Sequence, residues 1–583
     1  MIKSPQETDQ QIVNKLTNIF SFKDFQENYH KEYLTFFPLK ATFAGIAGYD
    51  HLFPKNISED YRENLKAFYT IYLDGLIRYD YESLAETDQV SYDILKWECE
   101  IGLEGLKYPT HLIPVDQMWS PNLTLGQFAG GTSAQPFKTV DDYNNWLKRI
   151  DAFIAWSETA MENMKKGIAQ GYVLPATLIK KVIPQWESLA SGVITEHLFF
   201  ASVKMFPDSF PEDEKLKLTE AYTTMVSEKL IPMYARMTKF LKEEYLPNGR
   251  STTGISALQQ GYEFYQHRIK FYTHTNMSAE QIFELGKREV ARIREEMEVI
   301  KSAVGYSGDL KSFFNYVREN KELTPFNDPD EVIANFDAIH NQMKPKLSEM
   351  FNLFPKAAFE VKRTEVFREA SASAEYYPAS KDGSRPGIFY VPIPNVKEYN
   401  YFSDQSLFLH EAIPGHHYQA SLQQENESLP EFRKILWYSA YGEGWALYCE
   451  SMGKELGLYD DHYQYFGMLS AEMHRALRLV IDPGIHTKGW TREEAIQYSL
   501  DNEAKSEESI IAEIERYIAM PGQALSYKIG QLKLLELKEK AKLILGDQFD
   551  IREFHNIVLA PGCIPLGLLE EKVHQWIALK EIH

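Results

Sequence analysis

The stretch Ser278–Val304, SAEQIFELGKREVARIREEMEVIKSAV, decides the fold class. Its apolar side chains, among them Ile282, Leu285, Val290, Ile293, Met297 and Ile300, return to one face at a turn of about 100° per residue, the mark of an amphipathic helix. The same period runs from Asp141 to Lys165. Between such stretches, Pro114, Gly130-Gly131, Pro175 and Pro247-Asn248-Gly249 read as breaks between long helices. There is no internal repeat and no low-complexity tract. The class expected is mainly α.

Strand signals appear in the middle of the chain. Phe359–Thr364 and Gly387–Pro392 flank a loop rich in Gly, Ser and Pro, which predicts a small sheet. Pro392 has no amide to donate, so an edge position is expected for the second strand, where an extended peptide could add to it. Helices are expected next, the first capped by Ser403 or Asp404 and another opened by Pro430. Tyr441–Leu456 reads as a helix stopped by Gly457. Asp482-Pro483-Gly484 reads as a break that leaves His486 in a loop, and Thr491 with Glu494 as a capping box that restarts helix.

Charge and composition exclude several classes. The chain has 583 residues and a formal net charge of -21, with no basic stripe to overcome it, which argues against nucleic acid as a partner. Cys99, Cys449 and Cys563 stand far apart and read as buried free thiols. No apolar run approaches the roughly 20 residues of a transmembrane helix. As written, the chain carries no signal-peptide core, which reads as cytoplasmic; a periplasmic or lipoprotein form stays open where a signal has been removed.

The chemistry lies in His410-Glu411-Ala412-Ile413-Pro414-Gly415-His416-His417. In an HExxH helix two histidines four apart chelate zinc and the glutamate stands beside the water. Here Pro414 occupies the i+4 position. On a straight helix i+6 lies roughly 120° away from His410, and i+7 is aligned but about 10 Å further along. Pro414 and Gly415 therefore predict a local break that brings His416 or His417 back to the metal. Glu443, in Gly442-Glu443-Gly444-Trp445-Ala446, is the expected third ligand.

At these residues the chain resembles the bacterial family known as domain of unknown function 885, placed among zincin-type metallopeptidases. Further segments carry the resemblance: Tyr376-Tyr377-Pro378, Asp382 to Gly387, Asp482 to His486, and Arg516-Tyr517 with Pro521 to Tyr527. The family pattern HExxxGH implies His410, Glu411 and His416, with His417 as second choice and Glu443 completing a zinc site. The order of elements is also similar to Taq-type carboxypeptidases, thimet oligopeptidase and angiotensin-converting enzyme. That similarity implies a helical two-lobed body with a deep channel, one catalytic unit over 1–583, in which 1–355 is scaffold and channel wall and 356–583 the catalytic part.

The function implied is hydrolysis of peptide bonds in oligopeptides, of carboxypeptidase or oligopeptidase type. Glu411 is the expected proton carrier, and Tyr527 and His486 are implied donors to the oxyanion. Arg385 is a candidate for holding a substrate carboxylate, and Tyr377 and Tyr390 for lining the cleft. Two alternatives are a metal-dependent hydrolase of a non-peptide amide or ester, and a helical binding protein without catalysis.

Overall fold

The computed structural model describes residues 21–131, 133–365, 369, 372–379 and 385–582, so Asp382-Gly383-Ser384 lies outside the described residues. The chain divides into two compact units: residues up to Leu84 with Leu95–Phe264, and Ala85–Ile94 with Tyr265 onwards. Both are mainly helical. Every candidate residue named above belongs to the second.

In the first unit the helix expected at 141–165 is α1, Val140–Gln170. It opens on a capping box between Thr139 and Asp142 and ends at Gly171, whose φ of 69° suits glycine. Trp146, Ile150, Phe153 and Trp156 form its buried face. Arg149 is buried among them. Its guanidinium is satisfied by Gln135, Thr42 and the carbonyls of Tyr49 and Leu52, as a buried charge requires.

In the second unit α2 is Ala279–Ala303, within one residue of the expected span, with Ser278 and Gln281 forming its capping box. The sheet has three strands: β1 (Phe359–Arg363), β2 (Glu375–Tyr377) and β3 (Gly387–Val391) in the order β1-β3-β2. β3 pairs parallel with β1 and antiparallel with β2. This corrects the edge assignment. Pro392 falls just past the end of β3, so its missing amide costs the ladder nothing, and the strand at the centre has no free edge to take a peptide. β2 went unrecognised, being three residues long.

After the sheet come α3 (Asp404–Glu411), α4 (His416–Glu425), α5 (Ser439–Ser451) and α6 (His462–Lys488). Neither Ser403 nor Asp404 caps α3 through its side chain. Asp404 instead accepts bonds from Asn335 and Tyr399, and burial raises its pKa to about 8. α5 ends five residues before the expected Leu456, and just beyond its end the Tyr459 ring packs where a Cβ on Gly453 would stand, at 2.0 Å. Tyr459 also donates to the Glu450 carbonyl at 2.9 Å.

The break expected at Asp482-Pro483-Gly484 does not form. α6 runs through Pro483, and His486 lies on a helix rather than in a loop. Proline inside a helix costs about 3 kcal/mol. Here every residue from Ala476 to His486 is buried, and α2 packs so closely on α6 that a Cβ at Gly286 would lie 2.7 Å from that of Leu479. Tertiary burial outweighs the local penalty. The capping box of Thr491 and Glu494 opens α7, Arg492–Leu500, as expected, and α8 is Ser526–Leu545.

Candidate metal centre

The helix break at Pro414 forms. α3 stops at Glu411, Ile413–Pro414 is a cis peptide, and α4 begins at His416. The chain folds back so tightly that a Cβ on Gly415 would lie 1.9 Å from the carbonyl oxygen of His410 and 2.3 Å from that of Leu409. Only glycine fits there. The Trp445 indole donates to the Pro414 carbonyl at 2.8 Å, fastening the loop to α5. On either side of Glu443, Gly442 makes room for the Trp437 ring and Gly444 lets α8 approach at Gly530.

This fold-back brings together His410, His416 and Glu443. The two imidazole centroids are 4.8 Å apart at 87°, and their Nε2 atoms stand 3.6 Å (His410) and 3.5 Å (His416) from the same Glu443 Oε2. Those lengths are too long for good hydrogen bonds. They match the separation of about 3.3 to 3.6 Å between ligand atoms arranged tetrahedrally at about 2.0 to 2.2 Å from a shared ion. Among the described residues, these three form the group of His, Cys, Asp and Glu side chains placed to hold a metal.

His410 is oriented from behind. Glu450 accepts its Nδ1–H at 2.7 Å, takes the Ser406 hydroxyl at 2.6 Å, and faces Arg475 at 4.0 Å. A carboxylate on the outer nitrogen fixes the tautomer and aims Nε2 at the centre. Sequence reading missed Glu450, Ser406 and Arg475. A signal was present, since Glu450 follows Glu443 by two helical turns on α5 and Ser406 precedes His410 by one on α3.

The electrostatics favour a cation. Burial opposes charge on His410, but Glu443 and Glu450 outweigh it and raise its pKa to about 9. Burial alone would raise the Glu443 carboxyl, yet the two imidazoles hold it well below the usual carboxylate range. Glu411 is buried at 8% exposure, and its pKa is raised by burial and by the Glu443 charge, against the pull of His410, His416 and Arg475.

The remaining candidates make other contacts. His417 points to the sheet, where the Tyr376 hydroxyl meets its Nδ1 at 2.9 Å and burial lowers its pKa to about 4. A Cβ on Gly387 would lie 2.6 Å from that Nδ1, which explains the glycine at the start of β3. Tyr377 and Tyr390 stack edge to face at 5.6 Å on the sheet. Arg385 donates to the carbonyls of Pro378 at 2.7 Å and Pro386 at 3.3 Å. His486 is fully buried, donates Nε2–H to the Tyr517 carbonyl at 2.9 Å, and lies against Tyr265. Arg478 lies over the Tyr527 ring at 4.5 Å. Asp482 accepts from Tyr265 and from the Gly522 amide. The three cysteines are free and buried, as expected.

Fold and site together define a mainly helical protein with a partly buried His-His-Glu cluster of metal-ligand type. A family model described as "Bacterial protein of unknown function (DUF885)" matches residues 38–573, and the chain belongs to that family. No curated protein matches it. A solved structure of a candidate lipoprotein from Colwellia psychrerythraea is 29% identical, covering 96% of this chain and 100% of that one, with a TM-score of 0.87. A candidate lipoprotein of unknown function from Shewanella oneidensis is 20% identical, covering 95% and 99%, with a TM-score of 0.75, and shows the fold alone. No described helix is long and apolar enough to cross a membrane.

Proposed function

We propose that the protein is a zinc-dependent hydrolase of peptide bonds in oligopeptides, with His410, His416 and Glu443 as the metal-holding residues. The observation that carries this reading is the convergence of two imidazole Nε2 atoms on one Glu443 oxygen, at 3.6 and 3.5 Å, beside the buried carboxyl of Glu411. Two histidines and one carboxylate are a donor set of catalytic zinc sites, which keep a further position open. A zinc ion bound there supplies Lewis acidity toward water and toward a carbonyl oxygen.

Glu411 takes a proton from the attacking water and returns it to the leaving amine nitrogen. Its raised pKa brings it nearer to neutral pH, where a general base works best. Glu450 keeps His410 in the tautomer that presents Nε2. Of the two oxyanion donors implied by the resemblance, we retain Tyr527, whose hydroxyl makes no hydrogen bond among the described residues. His486 is set aside because its Nε2–H is given to the Tyr517 carbonyl. A periplasmic or lipoprotein form is the localisation we propose, supported by the description of the Colwellia relative and checked by cell fractionation.

The test is elemental analysis of the purified chain, then digestion of a peptide library and a panel of small amides and esters by wild type and Glu411→Gln. The expected result is bound zinc, peptide cleavage by the wild type, and a fall of about 100-fold or more in Glu411→Gln with zinc retained. Absence of metal with identical digests overturns the reading. Cleavage confined to the small amides or esters replaces the peptide substrate.

A further inference from the structure

A cavity of about 200 Å³ lies on the Nδ1 side of His410. Ser406 and Glu450, the residues behind the imidazole, line it, whereas Glu411, His416 and Glu443 do not. Apolar walls come from Phe402, Leu407 and Ala471, and Lys505 stands exposed at the rim.

Its polar groups are unequally satisfied. The two carboxylates are fully engaged: Glu450 by His410 and Ser406, and Glu503 by His474 Nδ1 and Ser499. The cations are not. Arg475 spends one hydrogen bond on the Ala471 carbonyl at 3.1 Å and keeps a long 4.0 Å contact to Glu450, while its buried Nε has no partner. A guanidinium offers five donors in a planar fork suited to a carboxylate. Lys505 Nζ meets His474 Nε2 at 3.0 Å and has further N–H groups to give. The buried Ser470 hydroxyl, also on the wall, has no partner. Buried polar groups without partners are rare in folded proteins and mark a missing water or ligand.

We propose that this cavity binds the carboxylate of a small organic acid with an apolar body of about amino-acid size, held by Arg475 with Lys505 at the mouth. The volume is below the roughly 300 Å³ at which sites for drug-sized ligands begin, which sets the size class. Because Arg475 also faces Glu450, the bound acid touches the group that orients His410. The inference does not rest on hydrolysis. The carboxylate belongs either to a free acid or to the end of a peptide.

Calorimetric titration of the full chain, treated with a chelator so that neither metal nor turnover contributes, uses N-acetyl-leucine and its neutral amide as probes. The acid binds saturably, and both the amide and the Arg475→Gln variant bind about 10- to 100-fold more weakly, the worth of hydrogen bonds to a charged group. Ser470→Leu, which fills the cavity without removing a charge, abolishes binding and serves where Arg475→Gln does not fold. A pentapeptide acid that displaces the probe while its amide does not assigns the site to a peptide terminus. Displacement by neither assigns it to a free acid. No saturable binding, equal binding of acid and amide, or unchanged binding in both variants overturns the proposal.

Discussion

Replacing Glu450 by glutamine isolates what the outer partner of His410 contributes. The carboxylate receives His410 Nδ1–H at 2.7 Å and the Ser406 hydroxyl at 2.6 Å. Glutamine keeps the volume and one oxygen, so His410 retains an acceptor. The negative charge is lost, and the amide NH2 must face either Ser406 or the ring. Changes to outer partners of metal-bound histidines cost about 10- to 100-fold in metal affinity, or about 1.4 to 2.8 kcal/mol at 1.4 kcal/mol per decade. Zinc competition against a chromophoric chelator reads this directly, with Glu443→Gln as the variant that removes a ligand. The expected order of affinity is wild type, then Glu450→Gln, then Glu443→Gln. A folded Glu450→Gln protein that binds zinc as tightly as wild type refutes the reasoning, because the 2.7 Å contact then does nothing for the centre.

The fold-back loop predicts that Gly415→Ala, whose Cβ would press on two carbonyl oxygens at 1.9 and 2.3 Å, loses zinc and about 1 to 3 kcal/mol of stability, read by metal content and denaturant unfolding. The two neighbouring histidines should separate cleanly: His416→Asn abolishes zinc binding, while His417→Asn leaves zinc stoichiometry unchanged, and the reverse pattern would exchange their roles. Asp482 has a pKa raised by burial from 3.8 to about 7. Above pH 3.8 the unfolded chain ionises this group while the folded chain holds its proton, so its contribution to stability is full below that pH and is lost as the pH rises toward 7. Stability curves of the wild type should therefore fall relative to those of Asp482→Asn across that interval, and parallel curves would show that the shift is absent.

Periodicity placed α1 and α2 within a few residues, because a helix face repeats its burial locally and each residue reports on its near neighbours. The Pro414-Gly415 break was also legible, since a missing amide and a free φ act on the backbone at the site itself. Glu450 was harder. Its spacing from Glu443 is visible, but its role depends on α3 lying across α5, and no feature of either segment states that crossing. Tyr377 and Arg385 are named by residue type and by the segments of the resemblance, and the strand alternation that turns Tyr376 toward His417 and Tyr377 away from it depends on the pairing of β2 with β3.

The amino-acid sequence by itself determined the helical class, the donor types, and the point where the His-Glu helix must yield. The tertiary structure decided that His416 rather than His417 faces Glu443, that β3 lies at the centre of the sheet, and that α6 passes through Pro483. Each of these weighs a local backbone preference of a few kcal/mol against burial contributed by segments distant in the chain. Only the assembled fold contains the second quantity.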